Sequence, residues 1–177
     1  MKNDFIRQLV FTAMLLAMGL LLPFLTLNNP QLGSAILLMH IPVLLCGVLV
    51  SPRHAFILGA VLPLMRSILI GAPPLFPIAT AMAFELAAYG LVIGLLYAKL
   101  PKSIPIFYGV LVGAMLAGRV VWAGAMTVIS GLSDVNFSFS IFTSAAFVNS
   151  IPGIALQLIL IPVIVSAFKP ELGWKKA

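Results

Sequence analysis

The sequence predicts an all-α integral membrane protein built on six transmembrane helices. Its 177 residues are 62% apolar and only 8% charged, against about 25% charged residues in an ordinary soluble domain. So few polar side chains cannot cover the surface of a water-soluble domain. The apolar runs are continuous, whereas a transmembrane β-barrel would show alternating segments of about ten residues. Cys46 is the only cysteine, so no disulfide can form within the chain.

Six apolar runs follow one another, and we treat residues 1–177 as one membrane domain. Each run is near or above the ~20 residues needed to cross the hydrocarbon core. The second and third runs are short and contain Pro42 and Pro63, which predicts kinks or tilting there. The first run is expected to be retained, because no small-residue cleavage site follows it. The predicted spans are residues 8–27, 33–50, 54–71, 76–98, 105–130 and 142–168.

The positions of lysine and arginine predict that both termini are cytoplasmic. Those outside the spans lie before span one, between spans two and three, between spans four and five, and after span six. The other three loops contain neither residue, and cytoplasmic loops are the ones enriched in lysine and arginine. The net charge of +6 therefore reflects topology. No basic stripe alternates with aromatic residues, so we expect no nucleic-acid partner.

Polar side chains from five spans are predicted to share one layer in the outer half of the membrane. At ~1.5 Å per residue, each lies within about 17 Å of the outer boundary. Charge at this depth is unfavourable, and in membrane proteins it marks binding sites, relays or specific pairs. We therefore expect a solute-binding site that is open to the outside and also includes Trp122, one turn beyond Arg119. The layer consists of His40, Arg66, Glu85, Arg119 and Asn149.

Each residue of this layer also has a purely structural explanation. Glu85 could pair with either arginine as a structural bridge. His40 could donate to a backbone carbonyl that Pro42 leaves free. Asn149 could repair the helix break at the proline that follows it, and Arg66 could extend to the outer headgroups.

The charge balance of the layer favours a ligand. Two arginines and one glutamate leave one positive charge if His40 is neutral, and an unpaired cation in hydrocarbon is strongly unfavourable. A carboxylate, a phenolate or another strong acceptor would suit the spare arginine, and a ring nitrogen or an amine would suit Glu85. Trp122 could stack on a flat ring, although packing or lipid contact would also explain it.

Small residues in the first span predict a contact surface. Ala13 and Ala17 form a shallow strip where another helix can approach closely. The chain has no Gly-rich phosphate loop with a lysine, no metal-ligand pair at helical spacing and no nucleophile–base pair, so we predict no catalytic residue, metal or cofactor. No internal repeat of the kind found in secondary transporters is evident. Uphill transport would therefore need a partner that supplies the energy.

Three features resemble the substrate-binding S components of energy-coupling factor (ECF) transporters, the vitamin importers of prokaryotes. The first is the overall plan of six spans with both ends cytoplasmic, and the second is the Ala13-xxx-Ala17 motif. The third is a series of short segments, and it is similar to the branch of the family that includes pantothenate and vitamin B6 or hydroxymethylpyrimidine carriers. It consists of the run 39–47 (MHIPVLLCG), followed by 63–67 (PLMRS), by Pro73-Pro74 and by 85–90 (ELAAYG).

The resemblance implies a transporter subunit of the prokaryotic plasma membrane and not an enzyme. A transmembrane coupling protein and two ATPase subunits would supply the energy, and Ala13 and Ala17 would face the coupling protein. We expect the solute to be a small pyridine or pyrimidine vitamin, or pantothenate, although the resemblance transfers no individual ligand contact. The alternative is a membrane scaffold or assembly protein whose buried charges are structural, and a membrane-embedded enzyme ranks last.

Overall fold

The computed structural model describes residues 2–26, 35–101, 103–132 and 149–168, which are helical with no strand among them. A 3₁₀ turn over Leu22–Thr26 extends the first helix, and a segment over Leu75–Ala79, in which Phe76 has an extended backbone (φ −123°, ψ 135°), leads into the fourth. The α-helices are α1 (Lys2–Leu21), α2 (His40–Leu49), α3 (Pro52–Ile70), α4 (Thr80–Lys99), α5 (Ile104–Leu132) and α6 (Ile151–Phe168).

Five helical segments in these described ranges are long and apolar enough to cross a membrane. They confirm the all-α membrane class and agree with the predicted first, third, fourth and fifth spans to within a few residues. The sixth predicted span contains α6, which begins at Ile151 and is described as far as Phe168, and the first residues of that span, 142–148, lie outside the described part of the chain. The second predicted span, 33–50, contains the shorter helix α2. The six-span plan and its orientation stay predictions.

Helix α2 is short because the backbone turns before it. Leu37 has a φ of 55°, a left-handed conformation that a right-handed helix does not accommodate. The ten residues of α2 span about 15 Å, and nine of them are buried. The helix contacts α1, α3, α4 and α6. A helix that is apolar on all sides is typical of such enclosure.

Helix α3 has sequence signals at both ends. The Ser51 side chain accepts a hydrogen bond from the His54 backbone N–H, and Pro52 occupies the first turn. Both are common at helix starts, where backbone N–H groups lack partners within the helix. Gly71 ends the helix with a φ of 77°, a conformation that glycine adopts without a steric penalty. These residues explain why the predicted bounds of the third span are nearly right.

The crossing of α3 and α4 places the central part of α4. A Cβ atom added to Gly90 would lie 2.5 Å from the backbone oxygen of Ala55, which is closer than such atoms can approach. Glycine at this position therefore lets the two helix backbones touch. The contact between α3 and α4 is the most extensive between two described helices, and it holds the turn of α4 that carries Glu85.

Candidate functional site

Three buried ionisable side chains from three helices meet inside the bundle. His40 is the first residue of α2, Glu85 lies on α4 and Arg119 lies on α5. Arg119 Nη1 is 2.9 Å from Glu85 Oε1, and His40 Nε2 is 3.6 Å from the same oxygen. These residues are only 1%, 2% and 7% exposed, in the order His40, Glu85, Arg119. We call them the ionic cluster.

Tyr89 holds two members of the ionic cluster in place. Its ring meets the His40 ring edge-on, with centroids 5.2 Å apart and an interplanar angle of 88°. It also makes a side-chain hydrogen bond with Arg119. A Cβ atom at Gly118 would lie 2.4 Å from the Tyr89 ring, so the glycine on α5 provides the space that this ring fills.

Gln157 brings α6 to the same region. The backbone oxygen of Leu37 accepts a hydrogen bond from the His40 N–H at 3.0 Å and from Gln157 Nε2 at 3.4 Å. Because one carbonyl accepts both bonds, the Gln157 amide lies beside the first turn of α2, where the ionic cluster begins.

The sequence analysis missed Tyr89 and Gln157, although each has a signal. Tyr89 follows Glu85 by four residues, so both lie on one helical face. Gln157 is the only side chain with hydrogen-bonding groups between Gly153 and Val165. An isolated amide in an apolar span needs a polar partner. The predicted layer of polar side chains would have been the expected place to find that partner.

Several buried polar atoms at the ionic cluster have no hydrogen-bond partner within the described residues. They are both ring nitrogens of His40, Nε and Nη2 of Arg119, and Oε1 of Gln157. Nearly all buried polar atoms in folded proteins are hydrogen-bonded to protein, ordered water or a ligand. The region therefore offers both donors and acceptors to a polar molecule.

Arg66 is buried and contacts the end of α1. Its Nη1 donates to the Leu20 backbone oxygen at 2.7 Å, and its Cζ lies 5.3 Å from the centroid of the Phe24 ring. A cation is stabilised near the last carbonyl groups of a helix. Only 3% of Arg66 is exposed, so the side chain joins α3 to the C-terminal end of α1.

The structure thus brings together three of the six predicted site residues: His40, Glu85 and Arg119. Trp122 lies half-buried on α5, three residues after Arg119. Asn149 is exposed in the turn that precedes α6. Among the residues that the structure describes, no group of three or more His, Cys, Asp or Glu side chains is placed to hold a metal ion.

A groove of about 270 Å³ lies at the other end of the bundle. It is formed by the start of α1 and the ends of α2 and α6. It therefore lies away from His40, which begins α2. Its lining residues are Asp4, Arg7, Gln8, Phe11, Leu49, Val50 and Phe168.

Comparison with known families identifies the chain. The family described as ECF transporter, substrate-specific component, matches residues 7–165. The chain belongs to this family. Such an S component is the substrate-binding membrane subunit of an ECF importer and not an enzyme. Membership implies a small-molecule substrate and an energising module with a coupling protein and ATPases. Searches of curated proteins and of solved structures found no match.

The family agrees with the resemblance seen in the sequence. The S component is a multi-pass membrane protein engaged in transport, as its apolar helices and its family both indicate. The family match does not distinguish the pantothenate, vitamin B6 and hydroxymethylpyrimidine carriers from one another.

Proposed function

We propose that this S component captures a small water-soluble vitamin with high affinity at the outer face of a prokaryotic plasma membrane. The vitamin is of the pyridine or pyrimidine type (vitamin B6 or hydroxymethylpyrimidine), or it is pantothenate. Both termini lie in the cytoplasm, and two ATPase subunits drive release through the coupling protein. The observation that carries the proposal is the ionic cluster, in which three helices converge on one buried carboxylate.

The ionic cluster has the chemistry that a polar solute needs. Burying charged groups in a bilayer is unfavourable unless they are paired or hydrogen-bonded. Glu85 and Arg119 meet the first condition in part, but donors on Arg119 and a ring nitrogen of His40 stay available among the described residues. In this proposal His40, Glu85 and Arg119 contact the solute, and Trp122 stacks on it.

The other two predicted residues border the site in this proposal. Arg66 holds the end of α1 against α3, and Asn149 begins the turn that leads into the helix of Gln157.

Solute binding tests the proposal directly. The full chain is purified in detergent, small molecules released on denaturation are identified by mass spectrometry, and a vitamin panel is titrated by calorimetry. Glu85→Ala and Arg119→Ala should abolish binding while helical content by circular dichroism is retained. Arg53→Ala, at an exposed position in the first turn of α3, should bind as the wild type does. A folded wild-type protein with no affinity for any vitamin would refute the proposal.

A membrane scaffold is the second candidate, and the contact between Glu85 and Arg119 favours it. At 2.9 Å the two charges compensate each other, as a structural bridge would require. A scaffold would bind no solute. It would also tolerate Glu85→Leu combined with Arg119→Leu, because replacing both partners of a buried pair by apolar groups is often neutral. Loss of solute binding in this folded double variant would reject the scaffold.

Helix α1 is proposed to contact the coupling protein through Ala13 and Ala17. Both alanines are exposed, and the apolar window of the first span is only 22% buried, the lowest share among the five spans in the described chain. Ala13→Trp and Ala17→Trp should therefore block uptake by cells that contain the energising module, while solute binding to the purified protein is unchanged. Ala155→Trp, at an exposed alanine on α6, is the matched control. Normal uptake by both α1 variants would show that the partner surface is elsewhere.

A further inference from the structure

The guanidinium group of Arg119 is only partly used by the protein. Its Nη1 faces Glu85 Oε1 at 2.9 Å, and the Tyr89 side chain also hydrogen-bonds to the group, whereas Nε and Nη2 have no hydrogen-bond partner among the described residues. The N–H groups of Nε and Nη2 are held in one plane as a rigid fork. Because both nitrogens are buried, this edge needs a partner that brings two acceptors at once.

A carboxylate matches the free edge of Arg119. Its two oxygens accept two parallel N–H bonds, and such charge-assisted bonds are about twice as strong as neutral ones. A single carbonyl oxygen or ring nitrogen would satisfy only one of the two donors. The other donor would then stay buried and unpaired, which is unfavourable.

Glu85 does not occupy the same edge of the guanidinium. It contacts Nη1, so the Arg119 guanidinium lies between Glu85 and a carboxylate bound at Nε and Nη2. A phosphate dianion would place a second negative charge near Glu85, and like charges in a buried site are unfavourable. The nearby carboxylate of Glu85 therefore favours a carboxylate, with its single charge, over a phosphate dianion.

Gln157 supplies an acceptor in the same region. Its Nε2 donates to the Leu37 backbone oxygen, which fixes the orientation of the amide. Its Oε1 is buried and has no partner among the described residues. A buried acceptor is satisfied by a hydroxyl or amine donor. Because the Leu37 oxygen also accepts from the His40 N–H, this acceptor lies beside the ionic cluster.

From these two open positions we infer that the solute is a hydroxy or amino carboxylic acid. Its carboxylate binds Nε and Nη2 of Arg119, and its hydroxyl or amine donates to Oε1 of Gln157. The inference rests on the proposed function, because it names the chemistry of the solute that the same site would capture.

Matched pairs of an acid and a neutral analogue test the inference. Pantothenate with pantothenol, nicotinate with nicotinamide, and pyridoxate with pyridoxine are titrated into the purified full chain by calorimetry. We expect the tightest ligand to be an acid that binds at least about tenfold more tightly than its neutral analogue. Small molecules released from the purified protein are identified in parallel by mass spectrometry.

Three variants assign the preference to individual groups. Arg119→Lys keeps a positive charge opposite Glu85 but removes the fork, so the preference for the acid should fall at least about tenfold. Gln157→Leu should weaken binding of the hydroxyl-bearing acid about tenfold while the preference for the acid is kept. Arg53→Lys, at an exposed position, should change neither quantity.

The outcomes separate this inference from the proposed function. Tighter binding of the neutral analogues, a released compound without a carboxylate, or an unchanged acid preference in Arg119→Lys would overturn the inference and leave the proposed function standing. If no compound of the panel binds and no small molecule is released, the proposed function fails, and the inference fails with it.

Discussion

Separating Glu85 from Arg119 should destabilise the protein strongly, and a double-mutant cycle measures by how much. Glu85→Gln removes the carboxylate that faces Arg119 Nη1 at 2.9 Å and leaves the guanidinium buried. Arg119→Gln leaves the carboxylate buried in the same way. Glutamine is close to glutamate in volume, so the first substitution changes charge with little change in packing.

The expected magnitude follows from the burial of both side chains. Glu85 and Arg119 are 2% and 7% exposed, and removing one partner of a buried ion pair costs about 3–5 kcal/mol because the other charge is left uncompensated. The double variant leaves no unpaired charge. It should therefore be less destabilised than the sum of the single variants by at least about 2 kcal/mol.

The free energy of unfolding is measured by denaturant titration in detergent, with helical circular dichroism as the signal. Arg53→Gln serves as the control, because substitution of this exposed arginine in the first turn of α3 should change stability by at most about 0.5 kcal/mol. A coupling energy below about 0.5 kcal/mol between the two positions would refute the reasoning, because the effects of substitutions at two sites that do not interact add to within that amount.

Three further perturbations have defined outcomes. Gly90→Ala should lower the free energy of unfolding by about 1–3 kcal/mol through overpacking, whereas Gly109→Ala, where an added Cβ has no neighbour within 4 Å, should not lower it; equal effects would contradict the close helix crossing. Arg66→Gln should increase amide hydrogen exchange over Leu22–Thr26, because the bond to the end of α1 is lost; unchanged protection would show that Arg66 does not hold this segment. Ser51→Ala should cost about 1 kcal/mol in thermal or chemical unfolding through loss of the α3 cap, and an unaltered midpoint would contradict that role.

Much of the fold could be predicted because a helix that crosses the bilayer must be apolar over about 20 residues, which is visible in the sequence. Apolar runs, prolines and glycines marked most helix ends to within a few residues, as Pro52 and Gly71 do for α3. The start of α2 could not be predicted. It depends on the left-handed backbone at Leu37. Leucine has no preference for this conformation, so no sequence pattern predicts it.

The site was predictable in depth but not in detail. Counting residues from the span ends placed His40, Glu85 and Arg119 in one layer, and they do meet. The same count placed Arg66 there, yet its side chain bonds to the end of α1. Depth follows from chain length, whereas the direction of a side chain depends on how each helix is rotated and on crossings such as the one at Gly90.

The enclosure of α2 has a consequence for how the protein responds to its lipids. Hydrophobic mismatch acts on helices that touch the acyl chains. Such helices tilt, or the bilayer around them thins or thickens, until the two hydrophobic lengths match. The side chains of α2 are almost all buried. Thickening or thinning of the bilayer should therefore have little direct effect on the position of this helix, which begins with His40. The outward-facing α1 would absorb most of that adjustment, and solute affinity should vary little with acyl-chain length.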